Sequence, residues 1–502
     1  YRRQRQMCIR DRGERLCELA AATDGLGDVE TARRHLAEAV QLAELAGDGS
    51  LAARAAVAFA LPVDWDHGSP QAAALLQRAG QMPLSAEAQT AVTSGRAIVE
   101  MRIPVTDDRG EQVAWVTRPA VAQPLADTAL ADSRGAGPEV RLLALLAWRA
   151  THNAPEFLAQ RREASTEAMA VAQQLRDPSQ QVEAAVRLAV DGLESGDRPL
   201  FDEALAVARW VSERDGNPRL RWRALTLSVG AAHLDQDHYL ADQLLDQARV
   251  IAAPLSLPGS VAADLVFAGQ SAVKRDDLVL LESFLLPADS PLLSSAVARA
   301  GAAYAAARLG HAEQSLQHVH RALQLVDAES TYLGVLSMLA ESVTKIGHEE
   351  LASELVGLLG PWAEHVAVDT NAWWCEGPVA LRLAELHGVL GDHVEARRNL
   401  DLATPVAAAL NDVHSLDRCE QLAATLQPRV SAAEAEGLTP RETDVLRLIA
   451  QGATNPQIAS ELAYSLSTIR TDTVSIYKKL GVGGRTEAVS YAVREGLVDP
   501  GR

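Results

Sequence analysis

The chain has 502 residues and a formal net charge of −19, with 48% hydrophobic but only 4% aromatic residues. That length exceeds one ordinary core and predicts roughly two to four domains, and an apolar set dominated by Ala and Leu favours helix over strand. No run of about 18 apolar residues and no secretory signal is present, and the four scattered cysteines (Cys8, Cys17, Cys375 and Cys419) define neither a zinc site nor a disulfide framework, so a reduced, cytoplasmic setting is expected.

The first dozen residues, YRRQRQMCIRDR, differ in composition from all that follows. They resemble translated sequencing-adapter read-through, and residues 1–12 are expected to be non-native or a disordered basic arm. Without Met at position 1, the native start is expected to lie upstream of this chain.

A loose repeat then runs through an acidic body. Leu26-Gly27-Asp28, Leu309-Gly310-His311, Ile346-Gly347-His348 and Leu390-Gly391-Asp392 each place a small residue five positions after the glycine: Ala32, Ser315, Ala352 and Ala396. Each sits between two stretches with helical apolar spacing. Glycine ends the first helix because it tolerates a positive φ, and the small residue lets the second helix approach. The intervals from Gly310 to Gly347 and on to Gly391, 37 and 44 residues, fall near the tetratricopeptide period. Further helix pairs are expected over 182–209 and 221–251. Residues 13–426 therefore read as an all-α solenoid of tetratricopeptide-like helical hairpins, a fold that presents a concave surface to a partner. Two runs interrupt it: 101–124, a long loop or a short hairpin, and 251–260.

A linker is expected at 427–437, where Pro428 breaks the last repeat. From Leu438 onward eight Lys/Arg face seven Asp/Glu, a balance of +1 that leaves −20 in the rest. A near-neutral tail on an acidic body permits one localised binding surface.

Helix signals are dense over 438–498. Thr439-Pro440-Arg441-Glu442 supplies an N-cap, a proline at the first helical position and a glutamate at the third, together a capping box. Val445, Leu446, Leu448 and Ile449 form the buried side, and Gly452 closes the helix. Thr454 to Gln457 repeats this capping-box pattern and opens a short second helix with Ile458, Ala459 and Leu462 inward. After a tight connection at Ala463-Tyr464, the stretch SLSTIRTDTVSIYKKLGV (465–482) starts on an N-cap, Ser465, and its helix ends at Leu480-Gly481. A fourth helix is expected from Thr486 to Glu495. A short helix, a tight turn and a longer polar helix are the parts of a helix-turn-helix.

On the third helix Ile469, Thr473, Ile476 and Leu480 share one stripe and should face the core. Ser467, Thr471, Val474 and Lys478 point the other way, with Arg470 and Ser475 on the flanks. Hydroxyls can serve bases or phosphates, Arg can read guanine, and a small apolar Val can meet a thymine methyl, which suits a major groove. An ordinary solvated helix face would show the same pattern; the order of elements is what favours DNA.

This module resembles the LuxR-type helix-turn-helix domain. The resemblance rests on LTPRE (438–442), Asn455 with Ile458-Ala459 and Leu462, Ser465 with Thr468-Ile469-Arg470, Lys479-Leu480-Gly481-Val482, and Arg485 with Glu487-Ala488-Val489. It implies four helices, with 465–480 in the major groove of duplex DNA and a fourth helix available for dimer contact. It also implies that Arg470, in place of the family's usual lysine, contacts phosphate or base, that Thr471 is an adjacent reading position, and that Lys478 and Lys479 meet the backbone. The DNA-binding set is therefore Ser467, Thr468, Arg470, Thr471, Val474, Ser475, Lys478 and Lys479. Two positions depart from the family: Asp472 stands where His is usual and Thr473 where an apolar residue is usual. Asp472 is expected either to pair with Lys479 or to repel phosphate and weaken binding.

The body is similar to the repeat region of large ATP-dependent LuxR regulators, which carry a nucleotide-binding domain ahead of it. The nearest string to a phosphate loop, GQSAVKR (269–275), lacks the second glycine and the hydroxyl after the lysine. No ATP hydrolysis, cofactor or catalytic residue is expected of this chain, and an ATPase part is expected upstream unless the regulator lacks one altogether. Trp373-Trp374-Cys375-Glu376 reads as a gap-filling plug rather than a pocket for an inducer, and His311, His318, His320 and His348 as solvated surface rather than a metal site. The reading is thus a cytoplasmic transcription regulator that binds double-stranded DNA, acts as a homo-oligomer on repeated sites, and uses its repeat body to sense a small molecule or a protein. The rival is a protein-binding scaffold with a degenerate DNA-binding domain, which the acidic Asp472 and the low net charge of the module keep open.

Overall fold

The computed structural model describes residues 2–61, 70–106, 112–255, 257–287, 290, 293, 295–326, 332–426, 436–494 and 497. The chain divides into two compact units, Tyr1–Ala423 and Ala424–Arg502. Most of the expected linker, 427–435, lies outside the described residues.

The first unit is a run of antiparallel helix pairs, most helices packing chiefly on their sequence neighbours. Pro178–Glu194 pairs with Arg198–Asp215, Pro218–Leu234 with His238–Ala252, Ala296–Arg308 with Ala312–Leu325, and Val379–Val389 with His393–Leu410. The turns share one construction. A residue with positive φ reverses the chain, as at Gly196, Gln236, Asp276, Gly310, Gly347 and Gly391. At all of these but Gly310 the side chain of the next residue then caps the following helix: Asp197 accepts from the Leu200 amide at 3.1 Å, Asp237 from Leu240 at 2.9 Å and Asp392 from Glu395 at 3.1 Å. The small residue that follows is buried in every repeat singled out in the sequence, at Ala32, Ser315, Ala352 and Ala396. Ser315 goes further and donates its hydroxyl to the Ala303 carbonyl of the preceding helix at 2.7 Å. The all-α helical-hairpin body is therefore present as the periodicity implies.

Several segments differ from expectation or refine it. Residues 2–12 lie in the first helix, Arg2–Gly25, where Arg10 pairs with Glu14 and Arg12 with Glu38. The 101–124 interruption contains an antiparallel hairpin, Arg102–Thr106 against Gln112–Thr117, followed by a helix that begins at Pro119. The 251–260 interruption is slight: a 3-10 turn joins two helices there. GQSAVKR forms the end of the helix Pro258–Lys274 and its exit, and the buried Lys274 ammonium lies 3.5 Å from Asp412.

A second hairpin, Val366–Val368 against Cys375–Pro378, was not foreseen. Its turn is tied by Asp369, whose carboxylate accepts from the amides of Asn371, Trp373 and Trp374 at 3.1, 2.7 and 2.9 Å. Trp373 is buried between Trp222 and Phe267, and Trp374 donates to Glu376 at 2.5 Å, so both indoles act as filling. Burial pushes the Cys375 thiol up to about 12, which keeps it protonated and unreactive. Beside this hairpin Arg382 pairs with Glu341 and Glu385 at 3.0 Å each, and Arg418 with the same two carboxylates at 2.5 and 2.6 Å. Charges that would be costly to bury alone are thus matched. His318 corrects the sequence reading: it is buried beside Arg299, because its helix turns that side toward the core, while His320 stays exposed. Among the described residues no group of His, Cys, Asp and Glu is placed to hold a metal, and no helix is long and apolar enough to cross a membrane.

Candidate nucleic-acid interface

The second unit contains four described helices, Pro440–Ala450, Asn455–Glu461, Leu466–Leu480 and Arg485–Arg494. Both predicted capping boxes form, at Thr439/Glu442 and at Thr454/Gln457. The core gathers Leu438, Val445, Leu446, Leu448, Ile449, Ile458, Ile469, Ile476, Leu480, Ala488 and Ala492. Ala463 reverses the chain with φ of 56°, its successor Tyr464 donating its amide to the Ala459 carbonyl at 3.0 Å, and Ser465 caps the third helix through Thr468 at 3.1 Å. Arg485 reaches back to the Ile449 and Ala453 carbonyls at 3.3 and 2.5 Å, tying the fourth helix to the end of the first. A short helix, a left-handed turn and a longer helix make this a helix-turn-helix.

The third helix separates its faces as its periodicity requires. Ile469, Thr473, Ile476 and Leu480 are buried, while Ser467, Arg470, Thr471, Val474 and Lys478 are exposed. Val474 is 68% exposed, an apolar side chain left in solvent in the middle of that face. Of the other named residues, Thr468 is half-buried and its hydroxyl lies 2.8 Å from that of Ser465. Ser475 and Lys479 are drawn sideways: both donate to the carboxylate of Glu442, at 2.6 Å each. They bind the first helix and stand apart from the five outward residues.

Glu442 is the hub of that contact. It is buried, receives the Thr439 amide at 2.7 Å as the capping box requires, and carries the two bonds from the third helix as well. Burial alone would raise its pKa, but the bonds from Lys479, Ser475 and Thr439 outweigh it and hold the carboxyl at about 2.

Asp472 does not pair with Lys479, which Glu442 already occupies. Its side chain is only 7% exposed and meets Arg441, with Nε and Nη2 each 3.0 Å from a different carboxylate oxygen. The Arg441 guanidinium also lies over the Tyr464 ring, 5.6 Å from its centroid. Helical spacing puts Asp472 on the flank but says nothing of what lies across from it, so Arg441 and Tyr464 were not anticipated there, nor was the tie from Arg485 to the first helix. The readable signal was an acid on the flank of a helix whose neighbour begins Pro-Arg-Glu.

Helix order, capping and exposed face together define a helix-turn-helix of the kind found in bacterial regulators. Residues 436–492 match the model of bacterial regulatory proteins of the luxR family, and this segment is a LuxR-family domain. The chain is 45% identical over 64 residues to the transcriptional regulatory protein LiaR of Bacillus subtilis (strain 168), a match covering 13% of this chain and 30% of that protein. It is 45% identical over 62 residues to the "Probable transcriptional regulatory protein NarL" of Mycobacterium tuberculosis (strain ATCC 25618 / H37Rv), covering 12% and 29%. The chain thus spans about three-tenths of the length of these relatives. A solved circular tandem repeat protein aligns over 98% of the chain at 13% identity with a TM-score of 0.13, too low to bear on the fold.

Proposed function

We propose that this chain binds duplex DNA sequence-specifically and regulates transcription, with the helix 466–480 lying in the major groove. The observation that carries this is the exposed set Ser467, Arg470, Thr471, Val474 and Lys478, held outward by a buried stripe on the same helix. It combines one guanine-reading cation, hydroxyls, a methyl-bearing side chain and a phosphate-directed lysine on a helix of the right width. The names of the relatives support the same activity. Thr468, Ser475 and Lys479 serve the interface by fixing that helix, not by reaching the duplex.

The repeat body is assigned a sensing role, for a small molecule or protein that alters DNA binding, and a homo-oligomer on repeated half-sites is proposed to supply the affinity one small module lacks. The rival, a scaffold with a degenerate DNA-binding domain, keeps the low net charge of the module in its favour but not the Asp472 charge, which Arg441 matches. The test is Arg470→Glu in the full chain. Loss of DNA affinity by at least about tenfold is expected, since one good base-reading arginine is worth on the order of 1–3 kcal/mol before charge reversal is added. Unchanged affinity would remove the helix from the groove.

A further inference from the structure

We propose that Arg441, on the first helix of the domain, is a DNA phosphate contact, and that Asp472 and Tyr464 hold its guanidinium in place for that purpose. The proposal rests on the DNA-binding reading above and adds a residue outside the recognition helix.

Asp472, Ser475 and Lys479 form a strip along the third helix immediately beside its outward face, and the start of the first helix covers that strip. Glu442 takes Ser475 and Lys479; Arg441 takes Asp472. Glu442 is buried, whereas the Arg441 side chain is 48% exposed. Nη2 donates to Asp472 Oδ1 and Nε lies 3.0 Å from Asp472 Oδ2 in the ion pair, and the guanidinium lies over the Tyr464 ring. Its remaining nitrogen, Nη1, has no partner among the described residues, so the cation's outer edge is free.

The position follows from dimensions. An α-helix with its side chains is about 10–12 Å across and the major groove about 12 Å wide. A helix seated there fills the groove, and whatever borders its exposed face meets the sugar–phosphate strands at the rim. Arg441 borders that face. A planar guanidinium already fixed along one edge loses little conformational freedom when its other edge meets a phosphate. Asp472, an acid beside the DNA-facing surface, thereby acts as a positioning residue instead of a source of repulsion.

The test uses the full chain and a fluorescent duplex of mixed sequence, with affinity measured across a salt series. The double variant Arg441→Gln with Asp472→Asn removes the cation without stranding a buried carboxylate. It should bind several-fold more weakly and flatten the dependence of log affinity on log salt by about one unit, the mark of one lost phosphate contact. Asp472→Asn alone should bind more weakly than the unmodified chain while keeping its salt slope, because the cation remains but is no longer held. Tighter binding by Asp472→Asn would overturn the proposal, since it would make the carboxylate a repulsive group. So would a double variant with unchanged affinity and slope while Arg470→Glu has lost binding. If the unmodified chain shows no salt-dependent binding, the DNA-binding reading itself fails, and Arg441 falls with it.

Discussion

Glu442 shows how one side chain can fix a recognition surface without belonging to it. Its carboxylate closes a capping box on its own helix and ties down Ser475 and Lys479 of the next. Its folded-state pKa of about 2 lies below the ordinary glutamate value near 4.3. The folded domain therefore releases this proton more readily than the unfolded chain does. The stability gained is full above the ordinary value and is lost as pH falls toward 2. Thermal unfolding of the C-terminal unit should hence be insensitive to this group near neutrality and weaken between about pH 4.5 and 2. Glu442→Gln should lower stability near neutrality and flatten that acid slope; an unaltered slope would assign the acid sensitivity elsewhere.

Residue-level roles were legible only in part. The outward set came directly from helical periodicity, because Ile469, Ile476 and Leu480 define an inside and hence an outside. Ser475, Lys479 and Asp472 were not legible in the same way. Their angle about the helix is known from the sequence, but their partners sit some 30 residues away on another helix. Only the tertiary approach of the two helices decides that Lys479 meets Glu442 and Asp472 meets Arg441.

Elements marked by chain chemistry were read well, and elements made by pairing were missed. Both capping boxes and the cap at Ser465 stand at their predicted positions because each is a local device with a fixed spacing. Four repeat turns were found where glycine supplies the positive φ, at Gly27, Gly310, Gly347 and Gly391, while the turns at Gly196, Gln236 and Asp276 were passed over. The Val366–Val368 hairpin left little signal, since its strands are three and four residues long and its turn depends on one carboxylate. Two element-scale outcomes follow. Ala463 holds a left-handed conformation that disfavours a Cβ, so Ala463→Gly should stabilise the C-terminal unit by roughly 1 kcal/mol in denaturant unfolding, with DNA binding retained. Arg382→Met should destabilise the repeat body by about 3–5 kcal/mol in the same measurement, because it leaves buried carboxylates at Glu341 and Glu385 underpaired.

Across the whole molecule the division of labour follows the charge. The acidic body buries its ionic groups in matched clusters, and the near-neutral C-terminal unit exposes a small polar and basic face. The body has an acid limit of its own. Burial, assisted by the nearby Lys274, lowers the His233 pKa to about 4, so the folded body takes up this proton less readily than the unfolded chain. Its contribution is complete above about pH 6.5 and is lost as pH falls toward 4, an onset at higher pH than that of Glu442. Sequence-specific DNA binding through the helix 466–480 is tested by selection from a random duplex pool by the full chain at two salt concentrations. Enrichment of one motif is expected, with affinity that falls steeply as salt rises and enrichment that disappears in Arg470→Glu. Recovery of no motif by the unmodified chain, or of the same motif by Arg470→Glu, would contradict it.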